Sequence, residues 1–476
     1  MFDAVVIGSG VVGSLIAREL TKYNIKVCML EKENDVAMGA SKANSGIVHA
    51  GFDAKEGSLK AKLNVEGCRL MPSLCKTLGV KYKNNGSLVI AFDNEQAKHI
   101  QELYERGIKN GVKNLEILDK EKTLGLEPNL SKEVVCSLYA KDAGIVCPYG
   151  LCIAAAGNAM DNGAELFLNF EVSGISHDGG IYVISSTSGD FITAKYVINC
   201  AGLYSDKIAQ MVGDNEIKVT PRAGEYMILD RDSISLCSHT IFRTPTKAGK
   251  GILISPTVDG NIILGPTSEE RDDKEDKSTT PEGISLVAKQ TLENMPSTPL
   301  RNVITSFTGL RSVGNTGDFI IKKSAENFIT LSGIESPGLT ASPAIAKYVV
   351  RLLQNNFGLT TQKNTSFNGR RKAYCKFSEM TPTQKNKIIK ENPDFGTIIC
   401  RCEGISKGEI IEALTVNPPA HDIDGVKRRT RSGMGRCQGG FCSTAIVGII
   451  SSIQNIPFEN VTKFGKNSIV TFEKTK

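Results

Sequence analysis

AVVIGSGVVGSLIARELTKYNIKVCMLEKE, residues Ala4 to Glu33, opens with an apolar run to Ile7 and turns through Gly8, Gly10 and Gly13. A stretch of helical spacing follows, then a second apolar run that ends at Glu31. Strand, glycine turn, helix and strand in this order make one βαβ unit. Gly8 permits the tight turn, Gly10 lets the backbone approach a pyrophosphate, and Gly13 lets helix and strand pack closely. The helix start adds free N–H groups and a favourable dipole for an anion. Glu31 is spaced to accept ribose hydroxyls, and Val12 and Lys32 flank the same unit. The stretch predicts a dinucleotide site in an α/β, Rossmann-like domain.

The rest of the chain bounds what that domain can serve. At 476 residues it exceeds the size at which one core stops growing, so two or three domains are expected. No run reaches the length of a membrane span, and the first strand starts almost at Met1, so the protein is read as cytoplasmic, with no span or signal peptide of its own. A net charge of +6 is modest and dispersed, which disfavours a nucleic-acid partner. KRRTR, Lys427 to Arg431, is the one basic cluster. The charge-dense SEERDDKEDKS, Ser268 to Ser278, reads as a solvated loop.

Three further segments favour FAD over a free nicotinamide nucleotide. GASKANSGIVHAGF, Gly39 to Phe52, is small and polar enough to run along a flavin, with Ser41, Asn44, Ser45 and Gly46 as candidate contacts. AKYVINCAGLYSDKIA carries an apolar strand into Gly202 and a helix start. LSGIESPGLTASPAIAKYV carries a strand into Gly338, Leu339 and Thr340, where free helix N–H groups suit a flavin that gains negative charge on reduction.

These phrases, with PRAGEYMILDR, PTKAGKGILISPTVDGNIILGPT and GLRSVGNTGDFII, cover nearly the whole chain. They resemble the glycine oxidase and D-amino-acid oxidase group of FAD enzymes, and within it the anaerobic glycerol-3-phosphate dehydrogenase branch. The L-2-hydroxyglutarate dehydrogenase branch carries a similar phrase around His49, so this site alone does not choose phosphate over carboxylate. The resemblance implies a discontinuous FAD domain (1–82, 144–218 and 325–359) threaded by an α+β substrate domain (83–143 and 219–324). It also adds Val172 to the cofactor contacts. Residues 360–387, polar and basic, read as a linker to a small C-terminal domain at 388–476.

Oxidising an alcohol with flavin requires hydride departure from carbon and a base for the hydroxyl proton. His49, inside the flavin-contacting phrase, is the candidate base, since imidazole titrates near neutrality. Arg311, in TGLRSVGNTGD, is the candidate anion clamp, because a planar guanidinium binds phosphate or carboxylate through two N–H groups. Lys247 and Lys250 in PTKAGKG are candidates for a second phosphate contact. Other members of the fold oxidise amines or amino acids, and a non-catalytic electron-transfer subunit is the reading from a different class.

Nine of the 13 cysteines are scattered; Cys400, Cys402, Cys437 and Cys442 are grouped, the last two within GRCQGGFC. Four thiolates suit a [2Fe-2S] cluster or a zinc ion, and a reactive thiol pair is the third reading. CRCEGISKGEI and SGMGRCQGGFC resemble the bacterioferritin-associated ferredoxin-like domain appended to this dehydrogenase branch, which implies a [2Fe-2S] cluster on these cysteines. Gly433, Gly435, Gly439 and Gly440 suit a backbone that bends around sulfurs and donates N–H groups to them. Arg401, Lys427, Arg428, Arg429, Arg431 and Arg436 are expected to offset the cluster's charge or to form a docking face. Flavin plus cluster implies further flavin or iron-sulfur partner subunits, through which any membrane contact would be made.

Overall fold

In the computed structural model, which describes residues 1–244 and 251–472, Ala4, Val5, Val6 and Ile7 are buried in the strand Phe2–Ile7. That strand runs parallel between Val27–Leu30 and Phe191–Asn199. Strands covered on both faces read as continuous apolar runs, which is why the opening stretch does not alternate. Glu165–Phe167 extends the parallel part on one side and Phe328–Ser332 on the other. A hairpin of Val172–Asp178 and Ile181–Ser186 and the strand Ile320–Ala325 add antiparallel edges.

Helices Val11–Leu20, Leu59–Leu78, Pro148–Asp161 and Gly338–Phe357 pack on this sheet through Leu15, Ile16, Met71, Ile153, Ile345 and Val349. Burying one such side chain contributes about 1.5–3 kcal/mol. An exposed ion pair gives about 0–1 kcal/mol, so apolar packing and not surface charge holds the layer together.

The second sheet is built mainly on Val219–Leu229 paired antiparallel with Val303–Gly314. Ser87–Ala91, Cys136–Ala140 and Leu115–Asp119 lie at its far side. Its strands come from segments between those of the first sheet, so the chain visits the two sheets alternately. Ile320–Ala325 pairs within the first sheet, so the second-sheet segment ends ahead of Ile320. The helix Asn94–Lys109 packs beside Ser87–Ala91, Leu115–Asp119 and Cys136–Ala140 and is started by Asp93, whose carboxylate accepts the Gln96 N–H.

Two stretches differ from their expected character. Ser268 to Ser278 is tied down: Glu269–Glu270 pairs with the strand Val219–Leu229, Lys274 bonds Asp206, and Glu275 bonds Lys32 and Tyr204. Most of its charges have partners, Asp272 and Asp273 being without an ion pair among the described residues. Residues 360–387 also lie against the first domain, with Lys363 bridging Tyr23, the Arg371 N–H donating to Thr77 O, and Asn158 and Asn162 donating to Asn368 O. The helix Pro382–Glu391 starts inside that stretch on a Thr381–Gln384 capping box.

The C-terminal part is a two-strand hairpin, Ile398–Cys400 with Ile405–Ser406, and helices Lys407–Thr415, Ile423–Thr430 and Ser443–Gln454. Ile410, Leu414, Val426, Ile446 and Ile450 form its core, with Cys400 and Cys442 at the edge of the same cluster. Among the described residues, no helix is long and apolar enough to cross a membrane.

Candidate active site and cysteine centre

Gly8 has φ +99°, and a Cβ there would lie 2.5 Å from the Cys200 carbonyl oxygen; a Cβ at Gly13 would lie 2.0 Å from Gly8 O. Side chains are sterically excluded at both, so the turn is tight and the helix sits close to the strand. The helix begins at Val11, where the Val11 N–H donates to Ser41 Oγ at 2.9 Å. Glu31 Oε2 accepts the Ser9 N–H at 2.8 Å and Oε1 accepts the Glu33 N–H at 3.1 Å. Burial pushes this carboxyl up to about 7 against those two bonds. Each oxygen keeps a lone pair for a hydroxyl.

A cavity of about 780 Å³ starts at Gly8, Gly10, Val12 and Gly13 and passes Glu31 and Lys32. Ser41, Asn44, Ser45, Val172 and Gly202 line it, as do Gly338, Leu339, His49 and Arg311. The size suits a cofactor together with a small substrate. Gly46 and Thr340 stand behind the wall. The Gly46 N–H donates to Asn44 Oδ1 at 2.9 Å, and Thr340 Oγ1 accepts the His49 N–H at 2.9 Å.

The residues present fit a flavin dinucleotide. Gly202 faces open space, with nothing within 4 Å of where a Cβ would stand, and it lines the cavity. Asn64 also lines it, with Oδ1 buried and unpartnered, an acceptor left for a donor from whatever fills the space.

His49 is held by Thr340 through its N–H and by Asn64 Nδ2, which donates to its carbonyl at 3.3 Å. Its ring stacks on Phe242 with centroids 5.6 Å apart. Arg311 lies on the strand Val303–Gly314 and donates to Thr267 O at 3.2 Å, with Tyr226 alongside. Among the described residues, no carboxylate pairs with Arg311. Lys247 and Lys250 lie outside the described residues. Asn64, Tyr226 and Phe242 were missed in the sequence. Tyr226 stands inside PRAGEYMILDR, whereas Asn64 and Phe242 carry no local signal.

The four grouped cysteines meet in space, the inner two paired with each other and the outer two likewise. Cys402 Sγ lies 3.5 Å from Cys437 Sγ, and Cys400 bonds Cys442 side chain to side chain. Cys442 and then the backbone N–H groups of Gly433 and Glu403 pull the Cys400 thiol down to about 6 against burial. Cys437 is held down, against burial, by Cys402 and by the N–H groups of Gly439 and Phe441. The residues fit a [2Fe-2S] cluster. Two thiol pairs suit two irons bridged by sulfide, each iron taking two thiolates.

For four of the six basic residues the structure corrects the docking-face expectation. Arg428 and Arg429 are buried against Asp35, at 2.6 and 2.8 Å. Arg431 bonds Glu403 at 2.9 Å and Asp259 at 3.1 Å, and Arg436 bonds Asp230 and Asp232. These arginines fasten the C-terminal domain to the other two instead of forming an open docking face. Burial alone would raise the Asp35 carboxyl, but Arg429 and Arg428 hold it well below the usual carboxylate range.

Comparison with known proteins agrees with this geometry. Residues 3–352 match the FAD dependent oxidoreductase family, and residues 398–452 match the BFD-like [2Fe-2S] binding domain. The glycerol 3-phosphate dehydrogenase of Caloramator mitchellensis is 45% identical over 479 aligned residues, covering 100% of this chain and 99% of that one. The structure of dithionite-reduced L-alpha-glycerophosphate oxidase from Mycoplasma pneumoniae with FAD bound superposes with a TM-score of 0.74 at 32% identity, covering 78% of this chain and 98% of that one. Human mitochondrial L-2-hydroxyglutarate dehydrogenase is 34% identical over 56% of this chain and 61% of its own length. With the glycine turn, the buried Glu31 and the paired thiols in place, the chain belongs to the FAD dependent oxidoreductase family and carries a BFD-like [2Fe-2S] binding domain behind it.

Proposed function

We propose that the protein oxidises sn-glycerol 3-phosphate to dihydroxyacetone phosphate and passes the electrons to a partner protein. The observation that carries this reading is a 45% identity to a glycerol 3-phosphate dehydrogenase that spans the whole chain. The likeness to the glycerophosphate oxidase covers only 78% of this chain. A one-electron centre suits an enzyme that hands electrons to another protein rather than to oxygen.

When bound, FAD supplies the hydride acceptor and the [2Fe-2S] cluster a one-electron exit. Gly8, Gly10, Val12, Gly13, Glu31 and Lys32 hold the nucleotide end in this reading. Ser41, Asn44, Ser45, Val172, Gly202, Gly338 and Leu339 hold the remainder, with Gly46 and Thr340 proposed to act from behind through Asn44 and His49, and Cys400, Cys402, Cys437 and Cys442 hold the cluster. His49 takes the hydroxyl proton as the carbon-bound hydrogen leaves with its electron pair, so the alcohol becomes a ketone. Thr340 and Phe242 restrict the His49 backbone and ring, which orients the base before substrate arrives. Arg311 has N–H groups to spare for the phosphate, and Lys247 and Lys250 are proposed as its second contact.

The proposed domain division follows sheet membership: residues 1–82, 144–218 and 325–359 for FAD, 83–143 and 219–324 for substrate, with the last junction moved ahead of Ile320. A partner with a one-electron centre is supported by Phe441, 91% exposed and between Cys437 and Cys442 in sequence, and by the exposure of Cys402. The setting proposed is the cytoplasm, with partner subunits making any membrane contact.

An anaerobic titration with glycerol 3-phosphate, L-2-hydroxyglutarate and amino acids tests the substrate. Flavin bleaching by the phosphate alone is expected. Bleaching by the hydroxy acid or an amino acid in its place would reassign the site, and bleaching by none would leave an electron-transfer subunit.

A further inference from the structure

The segment Glu269 to Ser278 belongs to the second domain but crosses to the first. It starts on the edge of the second sheet, where Glu269 and Glu270 stand opposite Ala223 and Arg222, and the Arg271 N–H donates to Pro221 O at 3.0 Å. It ends where Thr308 Oγ1 donates to Ser278 O at 2.9 Å and Thr280 bonds the buried Glu225. Between these anchors the chain bonds the nucleotide domain at two points. Lys274 Nζ reaches Asp206 at 2.7 Å, on the helix that follows the Gly202 turn. Glu275 reaches Lys32 Nζ at 3.0 Å and accepts the Tyr204 hydroxyl, while the Lys32 ammonium stands 4.2 Å over the Tyr204 ring.

Lys32 follows Glu31, Tyr204 stands two residues after Gly202, and both line the cavity, so the bonds of Glu275 land on its wall beside the residues read as holding the nucleotide. Lys274, Glu275 and Lys277 line the same cavity. We propose that Glu269 to Ser278 is a strap that retains the dinucleotide, fastened by Glu275 to Lys32 and Tyr204 and by Lys274 to Asp206.

Two physical arguments support it. A cofactor held under a strap leaves only after both ion pairs open, so the pairs add to its residence time without touching it. The strap also brings Lys277 to a wall that already carries Lys42. Burial, and then the charges of Arg428 and Lys277, push the Lys42 ammonium down to about 8. An anionic dinucleotide in the cavity relieves that crowding, so strap closure and nucleotide binding favour each other.

The inference rests on the cavity being the FAD site. Release of FAD from the purified full-length protein, followed by the rise in free-flavin fluorescence on dilution, tests it. Lys274→Ala with Glu275→Ala removes the two ion pairs that cross to the first domain, and with them the Glu275–Lys277 pair inside the strap, and release about five- to tenfold faster is expected. Asp272→Ala, which removes one strap charge that has no ion-pair partner among the described residues, serves as control and is expected to release like wild type. Trypsin gives a second readout that needs no variant. Cleavage after Arg271, Lys274 and Lys277 is expected to be slowed by FAD in wild type. Equal release by the double variant and wild type, or equal cleavage with and without FAD, would overturn the strap. A wild type that binds no FAD would overturn the cavity assignment instead.

Discussion

Asp35→Asn removes the charge that two buried arginines share. Asp35 is 1% exposed, with Arg428 Nη2 at 2.6 Å and Arg429 Nη1 and Nη2 each at 2.8 Å. At an effective dielectric of about 20, one unit pair at about 3 Å gains roughly 5–6 kcal/mol, most of it offset by desolvation. Removing one partner leaves the others uncompensated, which costs about 3–5 kcal/mol. Arg429 keeps the Pro418 and Gly425 carbonyls, whereas the Nε of Arg428 is already buried without a partner. The lower end, about 3 kcal/mol, is therefore expected.

Hydrogen exchange along Ile423–Thr430 in the full-length protein reads this as local opening. Protection should fall by about 100-fold, since 1.4 kcal/mol is tenfold. The pH dependence has a definite sign. Because the Asp35 carboxyl is held below its ordinary value of about 3.9, its contribution is complete above that pH and fades as pH falls below it. Asp35→Asn should abolish that fading. Unchanged protection and an unchanged acid profile would refute the pin.

His49→Asn should keep FAD bound and slow flavin reduction by glycerol 3-phosphate about 100-fold or more in anaerobic stopped flow; unaltered kinetics would remove His49 from the proton transfer. Arg311→Lys keeps the charge but loses the fork, and substrate binding should weaken by about 1–3 kcal/mol with FAD content unchanged. Equal affinity would place Arg311 outside the substrate contacts. Cys437→Ser should remain yellow and still be bleached by substrate. It should lose the iron-dependent absorption and the paramagnetic signal of the reduced cluster, and retention of both would strike Cys437 from the ligands.

Local signals were legible and distant ones were not. The turn at Gly8 and Gly13 is written in consecutive residues because backbone geometry itself demands glycine there. Glu31 was legible from spacing along one βαβ unit. Ser268 to Ser278 looked like a solvated loop because its partners, Lys32, Asp206 and Tyr204, are far away in sequence. KRRTR looked like a surface patch for the same reason, since Asp35 and Arg429 are 394 residues apart. The cysteine grouping was visible, but the pairing of Cys402 with Cys437 and Cys400 with Cys442 depends on how hairpin and helix start pack. Phe242 against His49 had no signature, because any apolar residue reads alike until the sheet places it.

The most direct measurement is a single anaerobic addition of glycerol 3-phosphate to wild-type protein of known iron and FAD content, followed by absorption and by paramagnetic resonance of the frozen sample. One FAD and two irons per chain, loss of flavin absorption and then the signal of a reduced [2Fe-2S] cluster are expected. Flavin that stays oxidised, or one zinc per chain in place of iron, would contradict it.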